Sequence, residues 1–227
     1  MTDIFKKGFN YLMGYPVFFV PPLIPAIVSL LASFIFITSA TAAIHSGKGL
    51  MLAFIMLILG VTITLVVQLV TSAMLIHMAQ VVEEGYAPSL KDSLQASMDR
   101  LGDIVVASLI VSVAVGIGLL LLVLPGLVLA FLFIFTLQEV VVGNKSAVDA
   151  IRGSFEMVKG NFGNTLGFFI MLIIIILIIA GVLGLVPVMG DFVANLVITP
   201  YYSIVTTIYY LKQVKTSQPR SSIIVEG

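Results

Sequence analysis

Glu139 stands inside the apolar run Gly126 to Val142, four residues before Gly143 and six before Lys145. A carboxylate in a membrane-length segment can hold an ion or relay a proton, because charge is expensive in hydrocarbon and persists only with a partner. The spacing also permits a plainer arrangement. Four residues are about 6 Å of helix, so Glu139 lies near the end of its segment, where Lys145 or Arg152 can pair with it. The structural pair is the preferred reading. Gln68 lies deep in a run that also holds Thr62, Thr64 and Thr71. Its amide can line a solute path or bond a neighbouring helix, and the interhelical bond is preferred. Tyr201 and Tyr202 follow Pro200 in the last apolar run. A proline there frees a carbonyl that needs a new partner, and the kinked, hydroxyl-bearing helix suits either transport or packing. Gln68, Glu139, Tyr201 and Tyr202 form the candidate intramembrane polar site.

Other chemistries find no footing. His45 and His77 fall near opposite ends of their runs and are read as structural, with no metal between them. The sequence holds no phosphate-binding glycine loop, nucleophile motif or cluster of metal-ligand residues. No catalytic residue, cofactor or metal is assigned, and the chain is expected not to be an enzyme. It has no cysteine, which excludes disulfides, thiolate metal sites and cysteine nucleophiles. Eleven basic residues balance eleven acidic ones, so no nucleic-acid partner is expected.

The elements that must position these residues are membrane spans. Of 227 residues, 60% are hydrophobic and 10% charged, against about a quarter charged in a soluble domain. Mean hydropathy is +1.20. A helix crosses about 30 Å of hydrocarbon with roughly 20 apolar residues. Six runs qualify: Val17 to Ile44, Leu50 to Met78, Ile104 to Leu124, Gly126 to Val142, Leu166 to Val186 and Phe192 to Leu211. Pro21, Pro22 and Pro25 predict a bent or broken start to the first. "ATA" at Ala40 to Ala42 mimics a signal-peptidase site, but the run from Val17 outlasts a signal core of roughly 7 to 15 residues, so the segment is expected to be kept as a span. Short reversals are predicted at "LPG", Leu124 to Gly126, and at "GLVPVMGD", Gly184 to Asp191. Ser108, Ser112 and Gly116 in the third span, and Gly163 with Gly167 at the start of the fifth, are predicted to pack helix on helix through small residues.

Ten of eleven Lys and Arg residues fall at the amino terminus, in the second and fourth connections and in the tail; only Lys48 lies on the other side. The positive-inside rule then puts both termini in the cytoplasm of a multi-pass protein of the cell membrane, with the short reversals outside. Those reversals are too short for an external receptor.

Between spans, "SAVDAIRGSFEMVKGN" predicts a helix from Ser146 to Lys159, too short and too charged to cross. Val148, Ile151, Phe155 and Val158 form an apolar stripe, and Asp149, Arg152, Glu156 and Lys159 a charged one of alternating sign. Ser146 with Asp149 resembles a capping box. The helix is expected to lie in the cytoplasmic interface, its apolar stripe turned toward the bilayer or the bundle. Fifty-seven residues earlier, Ser89, Asp92 and Ser97 match Ser146, Asp149 and Ser154, while Leu94, Met98 and Leu101 take the stripe places of Ile151, Phe155 and Val158. Lys91 breaks the pattern where Val148 stands. A fainter copy sets Phe5, Phe9 and Leu12 on the stripe with Lys6 and Asn10 beside it. Each copy precedes a hairpin, so the chain reads as three units of interfacial helix, span, reversal and span.

The segment "LPGLVLAFLFIFTLQEVVVGNKSAVDAIRGSFEMVKGNFGNTLGFF" resembles the six-span domain preceding some bacterial glycerophosphodiester phosphodiesterases, and its stand-alone bacterial and archaeal relatives. The positions that carry the resemblance are Pro125, Gly126, Ala150, Ser154, Lys159, Gly160 and Asn161. It covers the second half of the chain well and the first half loosely. It implies a membrane domain without established activity, and it carries over no catalytic residue.

The expected fold is therefore all-α, a polytopic transmembrane bundle of six spans in three hairpins. Residues 1–212 form one membrane domain, with interfacial helices at 1–14, 89–102 and 146–159, and residues 213–227 a flexible polar tail. The expected role is a non-enzymatic scaffold or accessory membrane component. Its partners are membrane lipid and either a second copy or another membrane protein. The alternative is a small solute or lipid transporter or pore with a path near Gln68, Tyr201 and Tyr202.

Overall fold

A computed structural model describes residues 2–46, 50–185 and 190–217. Residues 47–49 (with Lys48), residues 186–189 (within the predicted second short reversal), the His45 side chain and residues 218–227 lie outside the described residues. The chain is all-α among the described residues: α1 (Thr2–Gly14), a 3-10 turn (Pro16–Phe19), α2 (Val20–Ser46), α3 (Leu50–Glu83), α4 (Leu90–Asp99) and α5 (Leu101–Leu121), then α6 (Val123–Leu132), α7 (Thr136–Val141), α8 (Ala147–Gly160), α9 (Phe162–Gly184) and α10 (Gly190–Ser217). Six stretches are long and apolar enough to cross a membrane. They fall on α2, α3, α5, α6 with α7, α9 and α10. α10 runs on to Ser217, six residues past the predicted end of the last span at Leu211.

Local chemistry accounts for the element ends. The prolines at 16, 21 and 22 lack N–H donors, and the first span starts with the 3-10 turn before α2 takes over. Ser89 and Ser146 cap α4 and α8, each accepting the N–H three residues on, from Asp92 and Asp149, at 3.4 Å. Asn144, at φ 55°, turns the chain between α7 and α8 in a conformation that asparagine tolerates.

The second hairpin departs from prediction. "LPG" is not the reversal: Leu122 alone is extended, at φ −159° and ψ 140°, and Pro125 sits in the first turn of α6, where its missing N–H breaks no bond. Gly126 serves instead as a close contact with α5. A Cβ built on Gly118 would come 2.9 Å from the Gly126 Cα, so the two backbones nearly touch.

The short helices α1, α4 and α8 gather at one end of the bundle, the foot end, among the ends of α3, α7 and α10 and the starts of α5 and α9. Their predicted apolar stripes divide between the two expected surroundings, with Phe5 and Leu12 of α1 and Val158 of α8 buried in the bundle and much of the rest turned outward. In α8, Val148 is exposed and Ile151 and Phe155 are half-buried, whereas Ala147, Ala150, Ser154 and Val158 are buried. A thin face lets a short helix approach α5 and α7 closely, which a row of Val, Ile and Phe would prevent. In α4 the buried residues are Ser93 and Ser97, with Leu94 and Met98 exposed. In α1, Gly8 meets Val205 so tightly that any side chain would collide. Foot-end packing centres on a column of rings, Phe5 on Phe168 at 5.4 Å, Phe168 on Tyr209 at 4.0 Å and Tyr209 on Phe135 at 5.8 Å.

Candidate intramembrane polar site

Glu139 is 2% exposed, in α7, and Lys145 from the following turn meets its carboxylate at 2.7 Å. Of the two expected partners, Lys145 makes the pair. Two glycines leave the space for it. A Cβ on Gly153 of α8 would lie 2.8 Å from the Glu139 Cδ and 2.7 Å from the Lys145 Nζ. One on Gly143 would lie 3.0 Å from the Glu139 Oε2 and 3.0 Å from the Tyr210 hydroxyl. The carboxylate is therefore enclosed by α7, α8 and α10, with its charge met from one side by an ammonium that reaches solvent.

The fourth span is broken beside this carboxylate. Residues 133–135 leave the helix between α6 and α7. A break inside hydrocarbon exposes backbone groups that need partners. The Ser154 hydroxyl of α8 supplies two, accepting from the Phe135 N–H at 3.1 Å and donating to the Leu132 carbonyl at 2.9 Å. Gly153 and Ser154 thus dock α8 into the break, one by absence of bulk and the other by hydrogen bonding. At the head of α8, the Asp103 carboxylate of α5 accepts the Ala147 N–H at 3.1 Å.

Next to Glu139, Gln138 is also buried. Its Nε2 donates to the Thr206 hydroxyl of α10 at 3.2 Å, and that hydroxyl donates to the Tyr202 carbonyl at 2.7 Å. The Gln138 Oε1 and the Thr207 hydroxyl are buried without hydrogen-bond partners among the described residues. The sequence marks Ser154 only as a repeat position and a carrier of the resemblance and Gly143 only as a span end, and it singles out none of Gly153, Gln138 and Thr206. The adjacent Gly-Ser pair inside an amphipathic helix was the available signal, since glycine there weakens the helix unless something approaches closely.

Gln68 lies elsewhere. It is exposed in α3 and lines a cleft of about 290 Å³ between α2, α3 and α10, together with Ser29, Thr64, Asn195 and Thr199. Tyr201 and Tyr202 are not in that cleft. The Tyr201 hydroxyl donates to the Phe5 carbonyl of α1 at 3.4 Å, and Tyr202 packs half-buried against the foot-end core. The four candidate residues therefore fall at separate places: Gln68 in the cleft, Glu139 at the α7–α8 junction, and the tyrosines in the core.

The predicted packing stripe also falls differently. Ser108 is half-buried and Ser112 exposed, while a Cβ on Gly116, Gly163 or Gly167 would meet nothing within 4 Å. The face of α5 turned inward is Ile104, Ala107 and Gly118, one residue off the expected line. His77 accepts or donates a 3.1 Å hydrogen bond through Nδ1 with the Ser93 hydroxyl, tying α3 to α4.

α1 is fastened by charge as well as packing. The Lys7 Nζ lies 2.8 Å from the Glu83 carboxylate at the end of α3 and 5.4 Å from the Tyr11 ring centre. Burial opposes the Lys7 charge, but hydrogen bonding with Glu83 and Tyr11 and the attraction of Glu83 outweigh it, holding its pKa above the usual 10.5. Tyr11 is raised too, chiefly by burial.

Six apolar crossings and a solid foot end define a polytopic α-helical membrane protein. Residues 1–211 match a family described as a domain of unknown function, DUF7847, and the chain belongs to it. No curated protein and no solved structure matches the chain.

Proposed function

We propose that the chain is a non-enzymatic scaffold or accessory component of the cell membrane, with both termini cytoplasmic. It would contact lipid or a partner membrane protein through α1, α4 and α8. The observation that carries this reading is the foot end itself. The ring column from Phe5 to Phe135 and the buried Glu139–Lys145 pair make that end a close-packed platform for α1 and α8, which supports a structural role. The resemblance of the second half to the phosphodiesterase-associated membrane domain agrees with a role without its own chemistry.

The three short helices support a triplicated unit. In the alignment that equates Phe9, Met98 and Phe155, the preceding residues are Gly8, Ser97 and Ser154, and all three are buried. Each unit docks through a small residue beside a bulkier one, exposed at Phe9 and Met98 and half-buried at Phe155. The exposed ones, with Leu94 and Val148, suit the headgroup boundary of a bilayer.

The chain has no tryptophan, so single replacements report without background. Tryptophan at Met98 or Val148, in vesicles, should be quenched by lipids brominated near the carbonyl end of the acyl chain. Emission typical of water, unchanged by those lipids, would remove the interfacial reading. The transporter alternative rests on the Gln68 cleft, and solute flux in proteoliposomes abolished by Gln68→Leu in a folded protein would favour it.

A further inference from the structure

The Gln68 cleft continues into a second lobe. That lobe, of about 270 Å³, lies between α2 and α3 and shares Ser29 and Thr64 with the first. The two differ in chemistry. The first carries hydrogen-bonding groups, while the second is walled mainly by Phe36, Met56, Leu57 and Leu65, nearer the end of the bundle opposite the foot. Together they have the size of an ordinary ligand site, roughly 300 to 1,000 Å³.

No Lys, Arg, Asp or Glu among the described residues lines either lobe. Ser29 and Thr64 donate to their own helices, at the Ala26 and Gly60 carbonyls, so their oxygens remain as acceptors. The Gln68 amide supplies donors. Its backbone carbonyl accepts from Ser72, but no side chain among the described residues engages the amide itself. In α10, Pro200 lacks the N–H that would close onto the Leu196 carbonyl, and Leu196 lines the same lobe. Donors and acceptors left open in the middle of a span call for a polar partner.

We propose that this cleft binds an uncharged, hydroxyl-bearing lipid, its polar end on Gln68 and its chain along the apolar lobe between α2 and α3. The depth selects against charge. An ionised phosphate drawn to this level would lose its hydration and meet no cation, whereas a hydroxyl group exchanges hydrogen bonds with Gln68 and the open acceptors. Specificity would therefore be for the neutral head over the anionic one, with the same chain tolerated in both.

The test uses the full chain in nanodiscs with a photoreactive diacylglycerol carrying a diazirine on one acyl chain. Labelling is expected on the peptides containing residues 29–36 and 56–65, and unlabelled diacylglycerol should displace it while phosphatidic acid of the same chains should not. Gln68→Leu should cut labelling about fivefold, the scale of one hydrogen bond lost. Equal displacement by phosphatidic acid would overturn the selectivity. Absent labelling of those peptides, or unchanged labelling in folded Gln68→Leu, would overturn the site. A disulfide dimer formed readily by Gln68→Cys would show a second copy covering the cleft, which also overturns it. Should Gln68→Leu fail to fold, the displacement experiment on the unaltered protein still decides.

Discussion

The Ser154 hydroxyl accepts the Phe135 N–H at 3.1 Å, across 19 residues of sequence, and so joins a foot helix to a break in a membrane span. Its second bond, to the Leu132 carbonyl, satisfies the other side of the same break. Ser154→Ala would leave both backbone groups buried and unpaired, so a loss of about 1 to 3 kcal/mol is expected. Unfolding in detergent measures it. Ser154→Ala as stable as the parent would mean that the break is held by something else.

Gly153 answers to Glu139. Glycine to alanine in a helix normally gains about 0.8 to 1 kcal/mol. Here the new methyl would sit 2.8 Å from the Glu139 Cδ, and the sign should reverse. Removing the obstacle should restore it. In a double-mutant cycle, Gly153→Ala should cost less in a Glu139→Ala background than in the parent, with a coupling above about 0.5 kcal/mol. Additive effects would separate the two residues.

The spans were legible in the sequence because hydrocarbon imposes length and composition on each one separately. All six are present within a few residues of their predicted ends. The Glu139 pair was legible for a similar reason, since Lys145 lies six residues away on the next turn. What stayed hidden depends on residues far apart in sequence. "FIF" at residues 133–135 carries no Gly or Pro, and its break is stabilised by Ser154 from another helix. The buried face of α8 was not legible because its apolar stripe can face either the bilayer or the bundle, and Ala147, Ala150 and Ser154 carry no bulk to mark the choice. In a membrane protein the bulky apolar residue faces lipid at no cost, and the small one earns the interior by allowing close approach.

Small residues are therefore not interchangeable. Gly126→Ala should place a methyl 2.5 Å from the Leu119 backbone nitrogen, a contact that can be relieved only by moving α5 away from α6. Destabilisation of more than about 1 kcal/mol is expected, as for an overpacked core. Gly116→Ala, Gly163→Ala and Gly167→Ala open onto free space, and should be neutral or slightly stabilising through helix propensity. Thermal unfolding of the four variants side by side would show whether the close approach is at Gly126 or along the predicted stripe.

Lys7 and Glu83 should hold α1 down across neutral pH. The folded pKa of Lys7 is raised, so its contribution is fully present below the unfolded value of 10.5 and fades as pH climbs through the higher folded value. A spin label on Asn10 should keep one mobility at neutral and mildly alkaline pH and loosen only above 10.5. Lys7→Met should show the loosened spectrum at neutral pH. A parent label that loosened well below 10.5 would assign the tether to another group.

Orientation is the prediction on which the proposed role most depends. Ten of eleven basic residues lie at the foot end or in the tail, and the proposed placement puts that end in the cytoplasm. Because the chain has no cysteine, single cysteines give unambiguous labelling. Leu122 and Leu185 are exposed at the opposite end, and Tyr86 and Glu156 at the foot end. An impermeant thiol reagent added to intact cells should reach cysteines at Leu122 and Leu185, and should reach those at Tyr86 and Glu156 only after the membrane is opened. The reverse pattern would turn the bundle over. α1, α4 and α8 would then meet the outer leaflet, where basic side chains gain less from anionic lipid, and their proposed role as cytoplasmic contacts would fall.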